Sequence, residues 1–261
     1  MWHPAEPILN ALSYVPGERR IVATPAMFGV AFEELSLRTS DGETVDAWFV
    51  PAVGETVGHL LFAHGNGGNI GDRSPMLAML AQAGFDVLIF DYRGYGQSSG
   101  RPNERGTYRD ARAAREALLA RPGVDPARVV YLGKSLGGGV MLELANAFPP
   151  AALLLMSTFT GMRDAAVAVY PFLPKVFVPN AYPSLKRIRT LRCPVLLMHG
   201  DADELLPVRM GRALYEAAPE PKRLVIYAGG MHNNLMMIPG WAETVADWAT
   251  GVLPPRRLAR G

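Results

Sequence analysis

The residues best suited to chemistry lie in Val130-Tyr131-Leu132-Gly133-Lys134-Ser135-Leu136-Gly137-Gly138-Gly139, where an apolar run passes into a helical stretch. Ser135 stands between Gly133 and Gly137 in the spacing G-x-S-x-G. A sharp strand-to-helix turn needs neighbours without Cβ atoms, and such a turn would lift the serine hydroxyl above a sheet. The helix N-terminus behind it favours negative charge. The chemistry implied is nucleophilic attack by Ser135 on a carbonyl. The simpler reading is a serine helix cap with packing glycines. Two look-alikes fail on one residue each: a phosphate-binding loop ending at Gly133-Lys134-Ser135 would need glycine at Arg128, and a dinucleotide fingerprint from Gly94 would need glycine at Ser99.

A serine hydroxyl needs a base. Of the five histidines, His3 lies in the N-terminal arm and His59 opens an early strand, while His64 and His199 each precede a glycine at a strand end and read as shaping the turn. His232, in Ala228-Gly229-Gly230-Met231-His232-Asn233-Asn234, follows the last strand and precedes the last helix, on the rim where strand C-termini converge. It is the expected base. The base needs an acid to fix its tautomer and stabilise the imidazolium. The stretch Met198-His199-Gly200-Asp201-Ala202-Asp203-Glu204-Leu205-Leu206-Pro207 offers three, and Asp203 is preferred, with Asp201 and Glu204 assigned to capping or solvent. Two N–H donors must face the developing oxyanion. They are assigned to Leu136, directly after the serine, and to Asn66 in Phe62-Ala63-His64-Gly65-Asn66-Gly67-Gly68-Asn69, with Gly67 as the alternative. A metal at His199, Asp201 and Asp203 is disfavoured because no second histidine cluster supports it, and no metal or organic cofactor is expected.

These residues need a sheet to carry them. Phe32–Ser40 and Val45–Ala52 alternate in polarity around Asp41-Gly42 and read as a hairpin. Continuous apolar runs follow at His59–Ala63, Asp86–Phe90, Arg128–Leu132, Ala151–Met156, Pro194–Met198 and Arg223–Tyr227, as parallel strands covered on both faces require. Helical stretches intervene at Asp72–Ala83, Glu104–Ala120, Ser135–Ala147, Val208–Ala217 and Trp241–Val252. The expected fold is α/β: a mostly parallel eight-stranded sheet, an antiparallel N-terminal hairpin and helices on both faces. Phe159–Arg192 interrupts the rhythm with four prolines and many apolar residues, and reads as a short lid-like insertion. Within it Phe159, Met162, Tyr170, Phe172, Val176 and Phe177 are expected to line an acyl pocket. Its bases Lys186, Arg187, Arg189 and Arg192 read as a solvated face. One domain over 1–261 is expected, with 1–31 as an N-terminal arm and a frayed end from Pro254.

Composition is consistent with this. Across 261 residues, 49% are hydrophobic and 19% charged, which excludes collagen, coiled coil and disorder. A net charge of +2 is too small to imply nucleic acid. The lone Cys193 allows no internal disulfide and a reducing compartment. The N-terminus reads neither as a signal peptide nor as a spanning helix. Ile8–Val15 could lie on a lipid surface, but packing on the domain is preferred. A cytoplasmic protein without stable membrane insertion is expected.

Five ordered motifs, HGNGGN at 64–69, DYRGYGQSSG at 91–100, GKSLGG at 133–138, HGDADELLP at 199–207 and GGMHNN at 229–234, resemble the α/β-hydrolase superfamily over about residues 32–252. More narrowly they are similar to its bud-emergence-type branch of serine hydrolases, which includes depalmitoylating thioesterases and bacterial esterases. The order Ser…Asp…His is that of the superfamily. The resemblance implies a triad of Ser135, Asp203 and His232, with oxyanion donors at Asn66 and Leu136. It makes DYRGYG a structural turn, so Arg93 is not expected to be catalytic. Many relatives have arginine at Lys134, and many eukaryotic ones carry an N-terminal anchor or acylated cysteines not seen here. The expected activity is hydrolysis of a small-molecule acyl ester or thioester with a short- to medium-chain acyl group. A peptidase of the same fold is the alternative and a non-catalytic binding protein the remote one. Dehalogenation is disfavoured because it uses a carboxylate nucleophile.

Overall fold

The computed structural model describes residues 14–172, 174–178 and 180–255. Eight strands form one sheet: β1 (Glu33–Arg38), β2 (Thr44–Val50), β3 (Gly58–Ala63), β4 (Phe85–Phe90), β5 (Val129–Lys134), β6 (Ala152–Met156), β7 (Val195–Gly200) and β8 (Lys222–Tyr227), in the order β1-β2-β4-β3-β5-β6-β7-β8. The β1–β2 and β2–β4 pairs are antiparallel and all others parallel. The expected hairpin and parallel sheet are both present.

Seven helices are described: α1 (Ser74–Gln82), α2 (Glu104–Leu119), α3 (Leu136–Ala147), α4 (Met162–Val169), α5 (Ser184–Ile188), α6 (Arg209–Ala217) and α7 (Trp241–Val252). Alternation along each strand sends side chains to opposite faces. Leu61, Leu88, Tyr131, Leu153, Leu155 and Leu197 pack with residues of α2, α3 and α6 on one face. Leu60, Phe62, Val130, Leu132, Leu154 and Leu196 pack with α1 and α7 on the other. Double coverage is why β3, β5, β6 and β7 read as unbroken apolar runs, each buried along its whole length.

The last run behaves differently. β8 pairs on one side only, and of its residues only Tyr227 is fully buried, so its apolar residues do not imply cover on both faces. Ser135 also stands outside the helix expected to start with it, because its backbone is not helical. Of the segment expected to pack on the domain, Ile8 to Ser13 lie outside the described residues, as does His3. Tyr14 is buried with its hydroxyl 2.7 Å from that of Tyr182, and Val15 N–H donates to Tyr95. Residues 256–261 of the expected frayed end also lie outside the described residues.

Candidate active site

The strands β5, β7 and β8 end on the same edge of the sheet, and the loops leaving them carry Ser135, Asp203 and His232. Ser135 has φ 52° and ψ −115°, a positive-φ state that costs a non-glycine residue about 1–3 kcal/mol. Its surroundings hold it there. Its N–H donates to the Met156 carbonyl at 2.9 Å, and its carbonyl accepts from Thr158 Oγ1 at 2.8 Å. The glycines are steric requirements: a Cβ on Gly137 would strike the Ala63 carbonyl, and one on Gly138 the Thr158 hydroxyl. The G-x-S-x-G pattern is thus the condition for packing this turn between β3 and β6.

The other two residues sit on loops laced to each other. Asp201 Oδ1 accepts the Gly229 N–H at 2.7 Å, Glu204 Oε2 accepts the His232 N–H at 3.1 Å, and Ala202 N–H donates to the Gly230 carbonyl at 3.0 Å. Asp201 and Glu204 therefore do not merely cap their own turn or face water; they position the histidine loop. Sequence spacing alone gave no sign of contacts that cross between loops.

His232 Nδ1 lies 2.9 Å from Asp203 Oδ2, and Nε2 lies 3.1 Å from Ser135 Oγ. A carboxylate only accepts, so Nδ1 carries the proton and the Nε2 lone pair faces the serine hydroxyl. Asp203 Oδ1 accepts the N–H groups of Leu205 at 3.0 Å and Leu206 at 2.8 Å. Burial opposes the charge on Asp203, but hydrogen bonds from His199 and His232 and the Leu206 N–H outweigh it and hold the carboxyl below the usual carboxylate range. His199 does more than shape the turn: its Nε2 lies 3.3 Å from Asp203 Oδ2 and 2.7 Å from the Leu206 carbonyl. The i, i+4 spacing of His199 and Asp203 was its only trace in the sequence.

Leu136 is the first residue of α3, so its N–H has no helical acceptor. The loop after β3 passes beside the serine: a Cβ on Gly65 would lie 3.5 Å from Ser135 Cβ. In that loop Asn66 Oδ1 accepts from the Tyr95 hydroxyl at 2.8 Å, and Tyr92 donates to the His64 carbonyl at 2.6 Å. The buried His64 ring packs on Tyr92 and lies 3.2 Å from Asp91, a support for this loop that the turn reading missed. The DYRGYG segment is structural: buried Arg93 pairs with Asp110 and Asp41, each at 2.8 Å.

The described side chains expected to line an acyl pocket are divided between the core and the surface. Tyr170, Phe172 and Val176 are exposed at 49%, 84% and 76%, and Phe159 is buried in the core against Tyr182. Met162 is half-buried against the same core, and the Phe177 side chain lies outside the described residues. A cavity of about 450 Å³ in this segment is lined instead by residues that include Thr160, Arg163, Asp164, Lys175, Lys186 and Arg189. The prolines break the segment into α4, a single turn at Lys175–Phe177 and α5, and between α4 and α5 Tyr170, Phe172 and Val176 turn outward while Val178 and Tyr182 are buried. Among the described residues no group of three or more histidine, cysteine, aspartate or glutamate side chains could hold a metal ion, and no helix is long and apolar enough to cross a membrane.

Comparison with known proteins agrees with this architecture. Residues 58–177 match the model of the alpha/beta hydrolase fold family, and residues 180–236 match that of the serine aminopeptidase S33 family. The chain is 38% identical over 238 residues to an uncharacterized protein of Mycobacterium tuberculosis, covering 90% of this chain and 80% of that one. It is 32% identical over 222 residues to alpha/beta hydrolase domain-containing protein 17B of Xenopus tropicalis, covering 84% and 76%. An esterase of Pyrococcus furiosus superposes with a TM-score of 0.76 at 19% identity, over 92% of this chain and 98% of that one. An esterase domain from Rhodothermus marinus does so with 0.67 at 23% identity, over 85% and 99%. From its sheet, its loops and these relatives, the chain belongs to the alpha/beta hydrolase family.

Proposed function

We propose that this protein is a serine hydrolase that cleaves small acyl esters or thioesters through an acyl-enzyme. One observation carries the reading: His232 lies between Ser135 Oγ, at 3.1 Å, and Asp203, at 2.9 Å. As Oγ attacks the substrate carbonyl, the hydroxyl proton moves to His232 Nε2 and Asp203 stabilises the imidazolium. The N–H groups of Leu136 and Asn66 receive the oxyanion. His232 then protonates the departing alcohol or thiol, the C–O or C–S bond breaks, and Ser135 carries the acyl group. Water, deprotonated by His232, attacks the acyl-enzyme, and the proton returns to Ser135 as the acid leaves.

Short- to medium-chain acyl groups fit better than very long ones, because Tyr170, Phe172 and Val176, which would wall a long chain, face solvent. The structural likeness to esterases and the five ordered motifs support this reading and a place in the bud-emergence-type branch. The proposal takes residues 1–261 as one domain with 159–192 as a short cap. It places the protein in the cytoplasm, where a lone unpaired cysteine is ordinary.

Peptide hydrolysis is the second reading, favoured by the match of 180–236, which contains Asp203 and His232, to a serine aminopeptidase model. Turnover of p-nitrophenyl acetate, butyrate and octanoate, set against aminoacyl p-nitroanilides, separates the two. Ester turnover that Ser135→Ala reduces by about 10³-fold or more supports the proposal. Anilide turnover exceeding ester turnover favours the peptidase, and wild-type rates in Ser135→Ala reject both.

A further inference from the structure

Lys134 is 6% exposed, and its Nζ donates to Asn233 Oδ1 at 2.6 Å. Lys134 precedes Ser135 and Asn233 follows His232. Two hydrogen bonds therefore run side by side between the serine turn and the histidine loop: Ser135 to His232, and Lys134 to Asn233. The ammonium also reaches beneath the loop after β3, since a Cβ on Gly65 would lie 3.8 Å from Nζ. One side chain from the serine turn thus bonds the histidine loop and lies beside the loop after β3.

A buried ammonium without a carboxylate against it is costly. Among the described residues none lies within ion-pair distance of Nζ. Asp203 and Glu204 act on it from further away and Arg73 opposes it. A group kept at such a cost, beside the nucleophile, calls for an explanation that fold stability does not supply.

We propose that Lys134 is a positioning residue whose charge-assisted hydrogen bond to Asn233 holds the histidine loop in register with Ser135, under the oxyanion loop. The inference rests on the catalytic reading above. The bond is stronger while Lys134 is charged. Burial, with a smaller contribution from Arg73, pushes its ammonium down to about 8, against the opposing pull of Asp203 and Glu204. The clamp therefore weakens as pH rises through that value, and kcat falls with it. Arginine at this position stays charged over the same range.

The test measures kcat and KM for p-nitrophenyl butyrate from pH 6 to about 10 at 25 °C in wild type, Lys134→Met, Asn233→Ala, the double variant and Lys134→Arg. Each single removal should lower kcat about 10- to 100-fold with KM little changed. The double variant should lose no more than the worse single, because both remove one bond. Lys134→Arg should recover at least half of the lost kcat and shift the fall above pH 8 upward. Wild-type kcat in Lys134→Met, losses that multiply in the double variant, or a basic limb unmoved by arginine would each overturn the clamp. A Ser135→Ala control keeps the two claims apart. If that variant is inactive and Lys134→Met is fully active, only the clamp fails. If Ser135→Ala is active, the catalytic reading itself fails.

Discussion

His199 Nε2 lies 3.3 Å from Asp203 Oδ2, so the carboxylate that orients His232 also faces a second imidazole. His199 is 1% exposed, and a Cβ on Gly211 would lie 2.6 Å from its Nδ1, so the ring has no room to turn away. The Leu206 carbonyl, 2.7 Å from Nε2, requires a proton there, and that nitrogen lies beside the carboxylate edge.

Replacing His199 with phenylalanine should lower kcat for esters about 10-fold with KM little changed, since Asp203 would lose a donor but keep His232. The acid side of the stability curve should also move. Asp203 is held below its ordinary range, so its contribution is fully present above about pH 4 and is lost as pH falls below that. His199→Phe should lift the acid-unfolding midpoint toward neutral pH, read by circular dichroism. Unchanged kinetics and an unchanged acid midpoint would show that His199 only fills space.

Gly137 tests the steric reading of the serine turn. A Cβ there has no space against the Ala63 carbonyl, and the obstacle is backbone rather than a flexible side chain. Gly137→Ala should cost about 1–3 kcal/mol and lower Tm, while displacing Ser135 enough to abolish most activity. Gly229→Ala is the comparison: that glycine has φ 67° and nothing within 4 Å of a Cβ, so it carries backbone strain without collision and should be milder.

Lys134 should oppose stability while serving activity. Its folded pKa lies below the ordinary value of 10.5, at about 8, so the unfolded chain binds more protons between the two. Stability from this group therefore rises as pH climbs from about 8 to 10.5. At pH 7, Lys134→Met should be more stable than wild type by about 1–3 kcal/mol, after allowing for the lost hydrogen bond to Asn233. Urea titrations at pH 7 and pH 10 should show that gap narrowing at the higher pH. A variant less stable than wild type at pH 7 would contradict the account of its burial.

Cys193 is buried, and burial pushes its thiol up to about 12. It should react with iodoacetamide at pH 8 only after unfolding, because the thiolate is the reactive form. Mass spectrometry of native and urea-unfolded protein checks this. Rapid native labelling would place the thiol at the surface.

Much of this was readable in the residues because burial on both faces leaves a dense signal. Leu60–Ala63 and Val129–Leu132 are apolar throughout since helices cover each side, and the turn at Ser135 announces itself because glycine alone fits its neighbours. Arg223 to Tyr227 carried a similar apolar signal at a sheet edge, where half-exposure looks the same in composition. The insertion misled more, because Phe172 and Val176 face solvent, and apolar content does not say which way a side chain turns. The contacts of Asp201, Glu204 and Lys134 join loops far apart in the chain, and no local spacing encodes them.

Peptide mapping after treatment with a fluorophosphonate asks whether His232 activates Ser135, since only a serine activated by its base reacts quickly. One adduct is expected, on the peptide that contains Ser135, formed rapidly by wild type and strongly slowed by His232→Ala. No adduct at Ser135, or equal labelling rates in wild type and His232→Ala, would contradict that activation.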